Sequence, residues 1–319
     1  TVAIGLLPGI ERIGCAAPHL LAALRIQQGI GLGGAWDGIT LQLQNAAPEG
    51  SKGVYAMIPQ LGGPIGFIVA AALFYVLAGF LTPEEFMNYG WRFAFFAVMA
   101  VNVVSLFARI RLLQADFGAD PSTFKSAPYL EMIRTQWRPV LLSSMMPLAS
   151  YALFHLVTVF PLAYAALYTD IAISYILDLQ LVGGFLAACT VIASGYIAER
   201  LGKNAVHWAS VAMIPVLCLT LPLLSTMPSL YILFGFAVLG LSYGQASAIV
   251  PDRFPIQYSY SGTALATNLS WIVGAAFAPL VGLSLTAAFG IWAAALYLYS
   301  GVVVPAIALF LLSRNTKPA

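Results

Sequence analysis

Residues Phe254–Ser313 read FPIQYSYSGTALATNLSWIVGAAFAPLVGLSLTAAFGIWAAALYLYSGVVVPAIALFLLS, 60 consecutive positions without Asp, Glu, Lys or Arg. A helix that crosses the hydrocarbon core of a bilayer needs about 20 apolar residues. The stretch is long enough for two such helices, and Gly290 supplies a turn signal between them. The strands of a membrane barrel would alternate polar and apolar residues over about 10 positions, and this run does not alternate.

Working outward, the same pattern recurs. Val54–Leu81 is 28 residues free of these charges, Pro139–Thr169 is 31 and Asn204–Pro251 is 48. The last divides at Ser225-Thr226-Met227-Pro228, again a turn signal. Over the 319 residues only 8% are charged and 61% are hydrophobic, against about 25% charged in a soluble domain. Burying a core cannot account for so few charges, whereas lipid as the solvent can. A net charge of +2, with no basic patch beyond the loops, gives no sign of a nucleic-acid partner. Cys15, Cys189 and Cys218 are far apart and have neither metal nor redox spacing, so they read as small packing residues. No targeting segment is visible.

Ten apolar segments follow, at about 1–10, 16–46, 54–81, 91–112, 139–168, 172–198, 205–225, 229–250, 259–288 and 291–312. The first is half a span, so the chain is expected to begin inside a helix. Loop cations lie on one side: Lys52, Arg109, Arg111, Lys125, Arg134, Arg138, Arg200, Lys203, Arg253, Arg314 and Lys317, eleven against Arg12 and Arg92 on the other. The positive-inside rule makes the eleven, and the C-terminus, cytoplasmic. The longest polar stretch divides the chain. Residues 1–112 form an N-terminal helical part, 113–138 a central cytoplasmic loop and 139–319 a C-terminal part of six helices. Carriers often have two six-helix parts related by a pseudo-two-fold axis, so a 4 + 6 pattern reads as twelve with about two missing.

The cytoplasmic turn after the sixth segment contains Gly195-Tyr196-Ile197-Ala198-Glu199-Arg200-Leu201-Gly202-Lys203. Gly195 and Gly202 permit close approach and a tight turn. Glu199 and Arg200 are placed to pair across helix ends. In the second segment Arg25, Gly29 and Gly33 recur at i, i+4 and i+8, along one helix face. The first stretch resembles the G-x-x-x-[DE]-R-x-G-[RK] signature of the major facilitator superfamily, the second its R-x-x-x-G-x-x-x-G. Through Trp36 and Gly38 the likeness extends to the R-L-x-Q-G-F-G-L-G-G-E-W-G-G of the metabolite:proton symporter branch. Pro59-Gln60-Leu61-Gly62-Gly63-Pro64-Ile65-Gly66, Gly90-Trp91-Arg92, Asp252-Arg253-Phe254-Pro255 with Tyr260-Ser261-Gly262, Asn268-Leu269 and Ala278-Pro279 resemble further branch motifs in the same order. The resemblance implies an all-α polytopic bundle of the major facilitator type, with about ten of twelve membrane segments present, corresponding to family helices 3–12. It departs from the pattern where the branch has a helix-four Glu: Ala35 stands there, and Asp37 is an acid two residues on, about 200° around the helix. Tyr260 stands where the branch has Arg.

Ionisable residues within spans are costly and mark function. Arg25 is the first candidate, for an anionic group of a solute or for an acid that titrates. Asp37, His155 and Asp178 are candidates for proton coupling or gating, with Glu199 and Arg200 at the loop. A lone His on an apolar helix such as His155 is more often a hydrogen-bonded packing residue, and His207, at a helix start, reads as interfacial. Gln28, Gln60, Tyr164, Asn268 and Trp271 can line a solute cavity or bond helix to helix. No nucleophile elbow, zinc-type His pair or P-loop is present, so neither an enzyme nor a nucleotide-driven pump is expected, and no cofactor or metal. The expectation is a secondary active transporter of a bacterial inner membrane: proton symport of a small carboxylate or zwitterionic metabolite by alternating access. The proton comes from the resemblance alone. A truncated, non-transporting fragment or a carrier-fold sensor is the alternative.

Overall fold

The computed structural model describes residues 1–32, 35–114 and 129–315; the side chains of 31–32, 35–38, 42, 108–114 and 312–315 lie outside the description. The described residues are helical throughout their ordered elements. These are α1 (Val2–Gly5), α2 (Ile10–Ile13), α3 (Ala16–Leu32), α4 (Ala35–Ala46), α5 (Lys52–Gln60), α6 (Gly62–Phe80), α7 (Pro83–Glu85) and α8 (Trp91–Gln114). Then follow α9 (Tyr129–Met145), α10 (Leu148–Tyr168), α11 (Ile173–Leu201), α12 (Lys203–Thr220), α13 (Pro228–Tyr243), α14 (Ser259–Ser270), α15 (Ala278–Phe289) and α16 (Ile291–Asn315).

Seven described helices, or merged helix pairs, are long and apolar enough to cross a membrane, and Pro228–Tyr243 is a shorter apolar helix. Of the two remaining expected segments, 1–10 holds α1 and the start of α2, and the described residues of 16–46 are α3 and α4. Large apolar side chains point outward along these helices, Phe80 at 86% exposure and Leu296 at 70%. Water would reject such a surface, while lipid tails accept it. The protein is a multi-pass integral membrane protein.

The turns fall where glycine and proline put them. Gly202 (φ 85°) and Gly290 (φ 81°) take the left-handed region that closes α11 and α15. Pro228 opens α13 at its first turn. Two boundaries differ from expectation. The segment expected to run to 250 stops as a helix at Tyr243, and 244–250 is a buried, non-helical stretch ending at Pro251. Residues 129–138, read as the end of a loop, are helical up to a kink at Gln136 (φ −116°, ψ 18°).

The chain divides into two compact units, Thr1–Gly33 with Val69–Lys125, and Gly34–Ile68 with Ser126–Ala319. In the first, α1 packs on α8. The Arg92 guanidinium donates to the carbonyls of Gly5 (2.8 Å) and Leu7 (2.7 Å), satisfying carbonyls that α1 leaves open at its end. In the second, α10, α11, α12, α13 and α16 enclose Leu153, Phe160, Ile176, Leu217, Tyr231 and Phe236. The Tyr231 hydroxyl donates to the Leu156 carbonyl at 3.0 Å, so this buried phenol has its partner. A smaller cluster joins Met132 of α9 and Leu309 of α16 with Met146, Ile249, Phe254 and Tyr258 from the connecting stretches.

Candidate functional site

The second unit brings the N-terminus of α5 onto the C-terminal part of α11 and the broken end of α13. Small residues make the approach possible. A Cβ built on Gly53 would lie 2.7 Å from the Gly195 carbonyl, and one on Gly195 would lie 2.8 Å from the Met57 side chain. With the backbones this close, polar groups from sequence-distant elements meet. Ser51 is the N-cap of α5, but its hydroxyl caps nothing. Glu199 takes that role, its carboxylate accepting from the Val54 N–H at 3.2 Å. A carboxylate there satisfies an orphan donor and faces the positive end of the helix dipole.

Two glutamines extend the contact. The Gln245 amide donates to the Gly53 carbonyl at 3.1 Å, and the Gln60 amide donates to the Ser247 hydroxyl. Both glutamines are buried, and their amide oxygens have no partner among the described residues. Next to them Lys203 forms an ion pair with Asp252 and donates to the Ala248 carbonyl at 2.9 Å. Lys203 thus holds the non-helical stretch after α13, which has exchanged its helical bonds for these. The result is a closed joint, held by a few polar bonds around glycine contacts, at the end of the unit that carries the loop charges.

Further along the same helices is an aromatic cluster. Trp271 stacks on Tyr151 with centroids 4.2 Å apart and 14° between planes. Phe154, His155 and Tyr243 surround the indole at 6.1, 6.3 and 6.4 Å. Trp271 begins a π-helical turn, Trp271–Ala275, closed by the Ala276 N–H on the Trp271 carbonyl at 3.0 Å. Two residues account for this local geometry. Gly274 sits against the Leu148 carbonyl, where a Cβ would come within 2.6 Å. Pro279 has no N–H for the Ala275 carbonyl and its ring crowds it, so α14 and α15 part ahead of it. Single π-turns of this kind widen a helix locally and are frequent at functional sites. An apolar recess bounded by Pro64, Phe67, Phe154, Thr158, Phe236 and Tyr243 runs beside the cluster, with room for about one water molecule.

The residues singled out from sequence divide as follows. Gln60, His155, Trp271 and Glu199 lie in the joint or the aromatic cluster. Tyr164 is buried on α10, stacked on Phe160 at 5.8 Å and away from the indole's neighbours. Asn268 and Asp178 are exposed on α14 and α11. Arg25 and Gln28 belong to the first unit: Arg25 is exposed and donates to the Gln28 amide oxygen at 3.1 Å, and Gln28 donates to the Thr1 hydroxyl at 2.7 Å. The Asp37 side chain lies outside the described residues.

Two details differ from the sequence reading. Glu199 caps a helix rather than making an ion pair, and Arg200 has no acidic partner among the described residues. Adjacent helical residues point about 100° apart, so the two cannot serve the same contact. His207 is not interfacial but 2% exposed, on the inner face of α12 with Val206 and Ser210. Gln245, Ser247, Tyr151 and Tyr243 were not singled out at all. Their only sequence signal is polarity or aromaticity inside uncharged runs, which many packing residues share.

The model of the Major Facilitator Superfamily matches residues 1–271. A Haemophilus influenzae relative is 33% identical over 99% of this chain and 76% of its own length. The inner membrane metabolite transport protein YhjE of Escherichia coli is 31% identical over 99% and 75%. The citrate-proton symporter of Klebsiella pneumoniae is 24% identical over 89% and 66%. Among solved structures, the Major Facilitator Superfamily transporter FucP in its outward conformation superposes with a TM-score of 0.63, at 15% identity, over 97% of this chain and 80% of that one. Motif order, helical architecture and relatives agree, and the chain belongs to the Major Facilitator Superfamily, among its metabolite transport proteins.

Proposed function

We propose that the protein is a secondary active transporter of a bacterial inner membrane that carries a small organic solute, a carboxylate or zwitterionic metabolite, together with a proton. The observation that carries this reading is the glycine-lined joint of α5 with α11 and the broken α13. Its bonds are few, lie at helix ends and can be exchanged for water. That is the form a gate must have if it is to open and close in each transport cycle. Glu199 serves as the latch, with Gln60 and Gln245 beside it. The cation count supports a cytoplasmic position for this gate.

The aromatic cluster around Trp271 would form one wall of the solute site. His155 is the ionisable group nearest to it, and with Asp37 and Asp178 it makes the set from which a proton carrier would come. Arg25, in the first unit, is a separate candidate for an anionic group. Coupling to protons is supported by the citrate-proton symporter among the relatives and by the branch motifs. Uptake of labelled carboxylates and betaine-type zwitterions into proteoliposomes, with and without an inward proton gradient, tests the reading. Gradient-driven uptake supports it, and uptake indifferent to the gradient removes the proton.

A further inference from the structure

On both sides of its kink at Gln136, α9 exposes large apolar and basic side chains. Met132 is fully buried, and Val140 beyond the kink is nearly so. Tyr129, Leu130 and Ile133 before the kink, and Trp137 and Leu141 after it, are exposed large apolar residues. Arg134 before the kink and Arg138 just after it are exposed as well. The Arg138 guanidinium lies 5.2 Å from the centroid of the Trp137 ring. The one acid on this segment is already engaged, because the Glu131 carboxylate accepts from the Tyr258 hydroxyl at 2.9 Å. Neither arginine has an acidic partner among the described residues.

We infer that the Arg134–Trp137–Arg138 face binds the phosphodiester headgroup of an anionic lipid in the leaflet on the gate side. The exposed apolar residues would enter the headgroup boundary, as on other amphipathic surface helices. Tryptophan and tyrosine favour that depth. Two guanidiniums with no acidic partner among the described residues supply the charge and the forked donors that a phosphate accepts. A neutral zwitterionic headgroup offers the same phosphate beside its own cation, so charge complementarity selects the anionic lipid. Through the Glu131–Tyr258 bond the bound lipid would hold the start of α9 to the short turn Ile256–Tyr258 that leads into α14. The inference needs the protein to sit in a membrane but not to transport, and its readout is lipid retention, not uptake.

The test is mass spectrometry of lipid retained by the detergent-solubilised protein offered equal phosphatidylglycerol and phosphatidylcholine. Each basic residue near an anionic surface contributes enough for two to give a preference on the order of 30-fold. The wild type should favour phosphatidylglycerol by on the order of 10- to 30-fold over an R134Q/R138Q variant, with an R12Q control unchanged. A charge-retaining R134K/R138K variant, which keeps attraction but loses the fork, should fall between. An unaltered lipid ratio in R134Q/R138Q overturns the inference. So does displacement of phosphatidylglycerol by inorganic phosphate at millimolar concentration, which would make the face a free-anion site. Should R134Q/R138Q not fold, the lysine pair decides, and a ratio equal to wild type in it and in Trp137→Leu counts against the inference.

Discussion

Gly53→Ala should loosen the joint of α5 with α11, the proposed gate. The added Cβ would lie 2.7 Å from the Gly195 carbonyl, 3.1 Å from the Ala198 Cβ and 3.2 Å from the Glu199 Cγ. The nearest of these is backbone, which cannot swing aside, so α5 and α11 must separate by about half an ångström. The Glu199–Val54 bond, at 3.2 Å, and the Gln245–Gly53 bond, at 3.1 Å, have little length to spare. Overpacking of this kind costs about 1–3 kcal/mol. Charged to the closed state alone, a middle value of about 2 kcal/mol raises the open fraction roughly 30-fold. Met57, buried against Gly195, gives the probe. Replaced by Cys in a chain whose Cys15, Cys189 and Cys218 are changed to Ala, it should react with a membrane-impermeant maleimide only when the gate is open. The Gly53→Ala chain should react on the order of 10- to 30-fold faster than its parent, from the gate side. An unchanged or slower rate would mean that the glycine contact does not hold the gate, and the reasoning would fail.

Three further outcomes follow from the same geometry. Glu199→Gln keeps the size of the cap but loses its charge opposite a helix N-terminus, a surface effect that should speed the same alkylation about two- to fivefold at low salt. Trp271→Leu removes the ring stacked on Tyr151 and should destabilise the protein by about 2 kcal/mol in denaturant unfolding, while raising the KM for solute; an unchanged KM would take the indole out of the solute site. Arg25→Ala loses only an exposed bond to Gln28 among the described contacts, so it should shift stability by less than about 0.5 kcal/mol yet reduce uptake of an anionic solute at least about tenfold; equal uptake would make Arg25 structural.

Much of the fold was legible because lipid imposes a coarse rule. Spans must be long and uncharged, and turns must carry glycine, proline or charge. Gly202, Pro228 and Gly290 therefore mark real boundaries. The rule is silent where a span is not regular. Gly244–Val250 carries no charge, yet the helix stops at Tyr243, where Lys203 and Gln60 reach the stretch from distant parts of the chain and Gln245 reaches out to Gly53. The π-turn at Trp271 is equally a tertiary effect, set by Gly274 against α10.

The site was legible in part. Glu199 stood out through its motif, but its partner is a backbone N–H of α5, a group that no side-chain pattern encodes. His207 was misread because position at a helix start does not say which face is buried. Asn268 and Asp178 stand out as polar residues in apolar runs, and both are exposed in the structure.

The account stands most directly on coupled transport. The protein reconstituted into sealed proteoliposomes, acidic outside, should concentrate a labelled small carboxylate or zwitterion above equilibrium, and a protonophore should collapse that accumulation. Accumulation that survives the protonophore, or no uptake across the panel from a protein whose gate alkylation shows that it opens, would contradict the central claim.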